Sequence, residues 1–391
     1  MSHESDNQGT NAGVQPPFAS LTTRRHFLGK GALLAAGAAG GASLLGAGGA
    51  AAASAASLVG SSDFPGGAQW DAKVRSLCKG KTLSIGWSPT QGEDFFTAIE
   101  HGAFAQMSEF KRRFGINFTW ERFIPTGFKA VENQITTVQG WTQKGLNAVM
   151  ICTAADFATT QRVFKVAMDK GTNIYQVNMF PELYKVGSLN CVSSIGYNNN
   201  TQAGYLAGEY LKTKLNNKGR IYLVWGAPTN WAVSRLAGLK ASLKGSGVTI
   251  AGFQRGNYVT DQGMTAALSL LRHDSHVDAV YAENSEMGVG VTQAIKQLGL
   301  KQWDGKSGIL TITANGKMSD YQNIQNGSLT AVVNVNPVEQ GRQSITAIFY
   351  HQILGYTVDP VIYVPTRVVD KTNYQEALAY YNWAYTYPLS A

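Results

Sequence analysis

Cysteine is scarce in this sequence, and no two cysteines lie close together. The chain of 391 residues holds only Cys78, Cys152 and Cys191, with no CxxC pair among them. This spacing excludes a disulfide framework and a thiolate site for zinc or an iron–sulfur cluster, because both need clustered cysteines. At most one disulfide can form, and the sequence leaves open whether Cys152 and Cys191 form it.

The motifs that mark common enzyme classes are also missing. The chain has no GxSxG nucleophile elbow, no HExxH zinc motif and no phosphate-binding loop. His273 and His276 flank Asp274 in a polar turn, where solvated side chains are more common than metal ligands. We therefore predict neither an enzyme nor a bound metal or cofactor, and we keep an exported cofactor enzyme as the weaker alternative.

Charge is sparse and unclustered. Charged residues make up 15% of the chain, and the 33 Lys and Arg exceed the 25 Asp and Glu without forming a basic run. Proteins that bind nucleic acid gather their basic residues on one face, so we predict no nucleic-acid partner. The 44% of hydrophobic residues is typical of folded globular proteins, and the length predicts two or three domains.

The first 56 residues have the organisation of an export signal. A polar start leads to Arg24 and Arg25, followed by Phe27 and Lys30 and then by an uncharged stretch, Gly31–Ala56, rich in Gly and Ala. This segment resembles a twin-arginine signal, which is removed on export. A membrane anchor is the alternative, but the many small residues would make a weak span. We predict cleavage of the signal and a soluble mature protein in the periplasm.

A linker is predicted over residues 57–80, and after it short apolar or β-branched runs alternate with longer stretches of helical periodicity. This alternation is typical of βαβ units and a parallel sheet. The predicted strands are Thr82–Trp87, Asn117–Phe123, Ala148–Thr153, Ile174–Asn178, Ser193–Tyr197, Arg220–Trp225, Thr249–Arg255, Ala279–Glu283, Gly308–Thr313, Thr330–Val335 and Ile362–Val369. The predicted helices begin with a stripe of apolar residues from Phe96 to Phe110 and continue with Phe128–Lys144, Phe157–Lys170, Thr201–Leu215, Val233–Leu243, Gln262–Arg272, Glu286–Leu298 and Val338–Leu354.

Eleven strands are more than one doubly wound sheet usually holds, so the sequence predicts an α/β fold of two lobes with about five strands each. The N-terminal lobe is predicted over residues 81–196 and 336–363. The C-terminal lobe is predicted over residues 197–335 and 364–391, with the aromatic tail Asn373–Tyr387 as one more helix laid against a lobe.

Amide and aromatic side chains follow many of these strands. In an open α/β sheet, ligands bind beyond the carboxyl ends of the strands, so these positions form the candidate site. Planar amides and a few charged groups suit the hydroxyls of a polyhydroxylated molecule, and flat aromatic faces suit its C–H patches. Core packing and helix capping are the alternative roles. The candidates are Glu93, Phe95, Phe96, Asn178, Trp231, Arg235, Tyr258, Asn284 and Asn315.

Five short motifs in a fixed order carry a family resemblance. They are the turn and helix within Ile85–Ala103 that hold Phe95 and Phe96, Asn199-Asn200 with Ala203 and Gly204, Arg235 with Gly238, Ala282–Gly290, and Asn315-Gly316 followed by Asn336-Pro337 and Gly341. On these residues, the chain from about Lys81 to Lys371 resembles the type I periplasmic binding proteins of sugar ABC transporters, the ribose-binding protein group.

The resemblance implies two doubly wound parallel-sheet lobes joined by three crossovers, near Tyr197, Val335 and Val364, that close on one ligand. It implies a monomer with no chemistry of its own, which delivers a small carbohydrate to an ABC transporter permease in the inner membrane. A ligand sensor for chemotaxis or signalling, working through the same closed form, is the alternative that the sequence cannot separate from transport.

The resemblance also assigns roles within the site. It implies that Phe95 and Phe96 stack on the sugar ring, Arg235 binds hydroxyls, Tyr258 forms an aromatic wall and Asn284 acts as an amide clamp. Glu93 stands where relatives often place a polar hydrogen-bonding residue, and Trp231 precedes Arg235 in the same loop.

Two positions depart from the family pattern. Relatives commonly have Asp where this chain has Asn178 and Asn315, so two carboxylates are replaced by amides. We predict a neutral sugar or sugar alcohol as the ligand. A sugar acid or another polar metabolite is the alternative, although Glu93 would repel a carboxylate.

Overall fold

The computed structural model describes residues 68–126, 130–153, 155, 157–178, 190–197 and 200–389. The predicted export signal, residues 1–56, lies outside this part of the chain, as do the first residues of the predicted linker. Within the described ranges, no helix combines the length and the apolar character that crossing a membrane requires.

Strands and helices alternate along the described residues. The strands are β1 Thr82–Ser88, β2 Asn117–Arg122, β3 Ala148–Ile151, β4 Asn173–Val177, β5 Ser193–Tyr197, β6 Lys218–Trp225, β7 Gly247–Arg255, β8 Ala279–Ala282, β9 Leu310–Asn315, β10 Ala331–Asn334, β11 Val361–Val364 and β12 Arg367–Asp370. The helices are α1 Ala68–Cys78, α2 Asp94–Phe114, α3 Val131–Lys144, α4 Phe157–Asp169, α5 Asn200–Lys214, α6 Asn230–Leu243, α7 Thr260–His273, α8 Ser285–Gln297, α9 Met318–Asn326, α10 Pro337–Gln352 and α11 Tyr374–Tyr385.

The strands form two six-stranded sheets. The first has the order β11-β5-β4-β3-β1-β2, and the second has the order β12-β10-β9-β8-β6-β7. All neighbours are parallel except β10 and β12. Strands such as β3 and β8 are buried along their whole length, which explains their uninterrupted apolar sequences. The predicted fold class, two doubly wound α/β lobes, is confirmed.

The chain passes between the two sheets three times. It leaves the first sheet after β5, returns after β10 to add β11, and crosses again between β11 and β12. Helix α10 packs on α2, beside the first sheet, whereas α5 packs on α6, beside the second. We call the unit around the first sheet the first lobe and the unit around the second sheet the second lobe.

The stretch Ile362–Val369 is two strands, so the prediction of one strand there is wrong. β11 pairs with β5 in the first sheet, and β12 pairs with β10 in the second. Pro365 lies between them, and proline has no N–H to donate to a strand ladder. Each sheet therefore has six strands instead of about five.

The sequence prediction also missed two helices. Helix α1 lies within the predicted linker, where Trp70 is buried and Asp71 pairs with Arg113 of α2 at 2.7 Å. From residue 68 onward, this segment packs on the first lobe and is not a free linker. Helix α9 is short, and its buried apolar residues are only Tyr321 and Ile324, too few to show a helical period.

Glycines allow pairs of helices to pack backbone against backbone. A Cβ at Gly204 of α5 would lie 1.8 Å from the carbonyl oxygen of Arg235 in α6, and Gly238 of α6 is equally close to α5. Gly102 and Gly341 form the same kind of contact between α2 and α10. Since the neighbouring atoms belong to the backbone, rotating a side chain cannot make room for a larger residue.

The described chain ends in an aromatic helix, α11, that contacts both lobes. On the first lobe, the ring of Tyr385 stacks on His101 with centroids 3.8 Å apart. On the second lobe, the hydroxyl of Tyr381 donates to the carbonyl of Gly316. The tail was predicted to be a helix against one lobe, and the structure places that helix across both.

We expect Gly204→Ala to lower the free energy of unfolding by about 1–3 kcal/mol, because the added methyl overlaps the backbone of α6. Gly140→Ala in α3 is the matched control. Its Cβ would meet no atom within 4 Å, so it should raise the stability by about 0.5–1 kcal/mol through helix propensity. Urea unfolding followed by circular dichroism measures both, and equal effects would contradict the backbone contact.

Candidate functional site

A cavity lies between the two lobes, at the carboxyl ends of the strands. Its empty volume is about 550 Å³, including the part open to solvent. Segments that follow β1, β3 and β4 line it from the first lobe, and segments that follow β6, β7 and β8, with the end of β9, line it from the second. The lining residues are Thr90, Gln91, Glu93, Phe95, Phe96, Cys152, Asn178, Trp231, Arg235, Tyr258, Asn284 and Asn315.

The structure brings all nine candidate residues of the sequence analysis to this one cavity. The candidate set lacked three of its lining residues, Thr90, Gln91 and Cys152. The available clue was position, since Thr90 and Gln91 come directly after β1 and Cys152 comes directly after β3.

Two phenylalanines form an aromatic wall on the first lobe. Phe95 and Phe96 meet edge to face with ring centroids 5.3 Å apart, and Phe96 lies 6.5 Å from Trp87 of β1. Their side chains are only 3% and 5% exposed, so they pack in the core and present a part of each ring to the cavity. The packing therefore fixes the orientation of both rings at the cavity wall.

Tyr258 provides the facing aromatic surface on the second lobe. Its hydroxyl lies 3.0 Å from the hydroxyl of Thr229, and its ring packs on Gly226 so closely that a Cβ there would lie 2.1 Å from a ring carbon. Its backbone φ of 66° is in the left-handed region, which a bulky residue seldom adopts. The surrounding structure thus holds Tyr258 in a strained conformation at the cavity.

Asparagines at the strand ends share this backbone conformation. Asn178, Asn257, Asn315 and Asn336 all have positive φ, between 47° and 114°. Asparagine tolerates the left-handed region better than other residues that carry a Cβ. Two of the amides that the sequence analysis attributed to ligand binding, Asn178 and Asn315, therefore also allow the chain to turn sharply where it leaves a strand.

Arg235 is held rigidly within the second lobe. One of its terminal nitrogens donates to the backbone carbonyl of Glu283, and the other donates to Oδ1 of Asn315 at 3.1 Å. The residue is 6% exposed and lines the cavity, so its side chain is largely buried in the cavity wall. An amide at position 315 keeps this contact without adding a negative charge beside the guanidinium.

Asn284 is engaged by the protein itself. It caps α8, where Oδ1 accepts from the backbone N–H of Met287 at 3.0 Å. Its Nδ2 donates to the carbonyl of Tyr258 at 3.2 Å and to Glu286 at 2.6 Å. The amide lines the cavity, but both of its N–H groups already have acceptors, so it can offer a ligand only the remaining capacity of its oxygen.

A group of charged residues lies where the two lobes meet. Lys317 of the second lobe pairs with Glu286 of the same lobe and lies 3.6 Å from Asp94 at the start of α2 in the first lobe. Burial, together with the nearby Glu286 carboxylate, raises the pKa of Glu93 to about 7, while Lys317 opposes the rise. Oε2 of Glu93 accepts a hydrogen bond from Nε2 of Gln91 at 3.0 Å.

A second carboxyl group, that of Glu283, is completely buried behind Arg235. One oxygen accepts from the N–H of Gly226 at 2.8 Å, and burial raises the pKa of Glu283 to about 8 although Arg235 and Arg255 lower it. Through Gly226, this carboxyl supports the backbone on which the ring of Tyr258 rests.

All three cysteines are free thiols, so Cys152 and Cys191 are not bridged. Burial raises the pKa of Cys152 to about 12, although a hydrogen bond with Asn178 opposes this. The Cys152 side chain is therefore a neutral thiol at the cavity wall and a poor nucleophile. Among the described residues, no group of three or more His, Cys, Asp or Glu side chains is arranged to hold a metal ion.

We expect the stability of the protein to fall as pH rises from about 5 to about 8, partly because Glu283 keeps its proton in the folded chain and loses it in the unfolded chain. Its stabilising contribution is complete below the unfolded pKa and is lost as pH passes the folded pKa near 8. Glu283→Gln keeps the acceptor for Gly226 and removes the titration, so it should flatten this decline. Melting temperatures measured across the pH range test this, and an unchanged slope would contradict it.

The chain matches known proteins over most of its length. Residues 85–353 match the family described as periplasmic binding protein domain. The chain is 28% identical over 212 residues to the D-ribose/D-allose-binding protein of Pseudomonas aeruginosa. This match covers 53% of this chain and 63% of that protein, which is less than two thirds of that protein's length. It is 27% identical over 273 residues to the galactofuranose-binding protein YtfQ of Escherichia coli, which covers 68% of this chain and 81% of that protein.

Solved structures share the fold. An ABC transporter periplasmic solute binding protein from Actinobacillus succinogenes with bound D-allose has a TM-score of 0.65 at 19% identity, and the match covers 75% of this chain and 99% of that one. The resemblance drawn from the five motifs is confirmed. Because the family match extends over more than half of its residues, the chain belongs to the periplasmic binding protein family.

Proposed function

We propose that this protein is an exported solute-binding protein that captures a small carbohydrate, a neutral sugar or sugar alcohol, between its lobes and delivers it to an ABC importer. The observation that carries the proposal is the composition of the cavity. Aromatic faces from both lobes, amides and one hydrogen-bonded guanidinium line a single space. The sugars named for the two relatives, ribose or allose and galactofuranose, agree with this lining.

The nine candidate residues are proposed as the ligand contacts. Phe95, Phe96 and Tyr258 offer ring faces to the C–H patches of a sugar, and the half-buried Trp231 extends the wall of the second lobe. Arg235 offers its remaining donor capacity to hydroxyl oxygens. The remaining proposed contacts are Glu93, Asn178, Asn284 and Asn315.

Ligand capture is proposed to proceed by closure of the two lobes about the three crossings. The lobe boundaries are proposed at the junctions 196/197, 335/336 and 363/364, next to the places where the chain changes sheet. Because residues of both lobes line the cavity, a ligand gains its full set of contacts only when the lobes are together, which favours the closed form. The closed monomer would then present both lobes to the permease, with no chemistry of its own.

Export is proposed to follow the twin-arginine route to the periplasm, with removal of residues 1–56. The support is the pair Arg24 and Arg25 ahead of an uncharged, small-residue stretch. The periplasmic location agrees with the family to which residues 85–353 belong.

A thermal-shift panel of pentoses, hexoses, sugar alcohols and sugar acids tests the ligand class. A ligand at a hundred times its dissociation constant should stabilise the protein by about 2.7 kcal/mol. The protein is first unfolded and refolded to remove ligand carried through purification. A response to neutral members supports the proposal, and the absence of any response across the panel would overturn it.

Arg235→Ala should weaken binding of a responding ligand roughly 10- to 100-fold, because a charged hydrogen-bond donor is lost from the cavity wall. Arg272→Ala is the matched control, since Arg272 is exposed on α7 and outside the cavity. The melting temperature of each ligand-free variant separates loss of binding from loss of folding. Equal affinities in the two variants would remove Arg235 from the site.

Replacing Arg24 and Arg25 together by Lys should block export, because the twin-arginine machinery recognises the arginine pair. Cell fractionation with an antibody to the protein measures the effect, and Lys30→Arg serves as the control that leaves the pair intact. Unchanged export of the double variant would contradict the twin-arginine route and indicate a different export pathway.

A further inference from the structure

The carboxyl group of Glu93 is not used for the structural role that its position suggests. Glu93 is the N-cap residue of α2, a position at which a side-chain oxygen can accept a hydrogen bond from the first turn. Here the side chain makes no capping bond, and it lines the cavity instead. Within the described ranges, no Lys or Arg lies within 4 Å of its carboxylate, and Gln91 is a neutral donor to it.

Among the described residues, Arg235 and Lys317 lie at or beside the cavity, and each is bound to other acceptors. Arg235 donates to the carbonyl of Glu283 and to Asn315. Lys317 pairs with Glu286 and approaches Asp94. Neither cation therefore neutralises Glu93 directly, although Lys317 acts on it from a distance.

The surroundings of Glu93 are otherwise negative. Asp94 adjoins it on α2, Glu286 lies at the start of α8, and Lys317 before α9 is the one cation that acts on it within the described part of the chain. Cys152, which follows β3 at the cavity wall, is a neutral thiol and adds no charge. Although the whole chain has a formal net charge of +8, the described groups that act on one another around Glu93 comprise three carboxyl groups, counting Glu93, and one lysine. Such a field attracts a positive group and repels a negative one.

We propose that Glu93 forms a subsite for an ammonium group, so that the cleft binds an amino-substituted sugar or cyclic polyol more tightly than its hydroxyl parent. This rests on the proposed function, because it assumes that a carbohydrate occupies the cavity. An ammonium donates three hydrogen bonds, and its positive charge would pair directly with the Glu93 carboxylate, which has no Lys or Arg partner among the described residues. A hydroxyl at the same place can donate only an uncharged hydrogen bond to the carboxylate, as the amide of Gln91 does.

The test compares ligand pairs by calorimetry at about pH 7.5, where the Glu93 carboxyl is largely ionised. D-Ribose, D-glucose and myo-inositol are each measured beside monoamino derivatives in which one hydroxyl is replaced by an amine. We expect at least one amine to bind about tenfold or more tightly than its parent, as a charged pair is stronger than a neutral hydrogen bond. At about pH 6, protonation of Glu93 should reduce this preference.

Three variants locate the effect. Glu93→Gln keeps the shape and removes the charge, so the ratio of the two affinities should fall to about one. Glu93→Asp keeps the charge with a shorter reach and should retain part of the preference. Glu132→Gln makes the same chemical change on the exposed surface of α3, away from the cavity, and should keep the full ratio.

The outcomes separate this inference from the function on which it rests. If neutral parents bind and no amine binds better, the ammonium subsite is wrong while carbohydrate binding stands. If amines are preferred equally in the protein and in Glu93→Gln, another residue selects the amine and the assignment to Glu93 fails. If neither parents nor amines bind, both the inference and the proposed function are overturned.

Discussion

The parallel pairing of strands determines where the cavity residues lie. In each sheet, parallel neighbours end at the same edge, so the segments that follow β1, β3 and β4 converge on one side of the cleft. The segments after β6, β7 and β8 converge on the other side in the same way. Residues as far apart in sequence as Phe95 and Asn315 therefore line one cavity. Because the sheets bring the turns together, the first few residues of each turn determine which side chains line the cavity.

The backbone contacts between helices connect this framework to the site. Gly204 allows α5 to touch the backbone of Arg235 itself, so the close packing of two helices also sets the position of the guanidinium. On the other side of Arg235, the carbonyl of Glu283 and the amide of Asn315 hold its terminal nitrogens. The residues that shape the cavity are thus fixed by packing in the helix layer and by hydrogen bonds at the ends of β8 and β9.

The sequence was sufficient to predict the alternation of strands and helices and nine of the cavity residues, because buried parallel strands have uninterrupted apolar sequences and the candidate positions follow strand ends. It was insufficient where the signal depends on partners distant in the chain. Trp70 in the supposed linker is buried against Phe114 and Arg113 of α2, which no local pattern reveals. Likewise, the amide of Asn284 is consumed by capping and by Glu286, a detail that only the folded chain determines.

In addition to the three chain crossings, helix α11 connects the two lobes through noncovalent contacts. Tyr380 donates to Glu339 and Arg342 lies over the ring of Trp383 on the first-lobe side, while Tyr381 packs on Tyr321 and bonds to Gly316 on the second. If the lobes rotate apart, this helix can stay with only one of them and loses its contacts with the other. The aromatic contacts of α11 therefore oppose the opening that we propose for the two lobes, and removing them should make the lobes separate more easily.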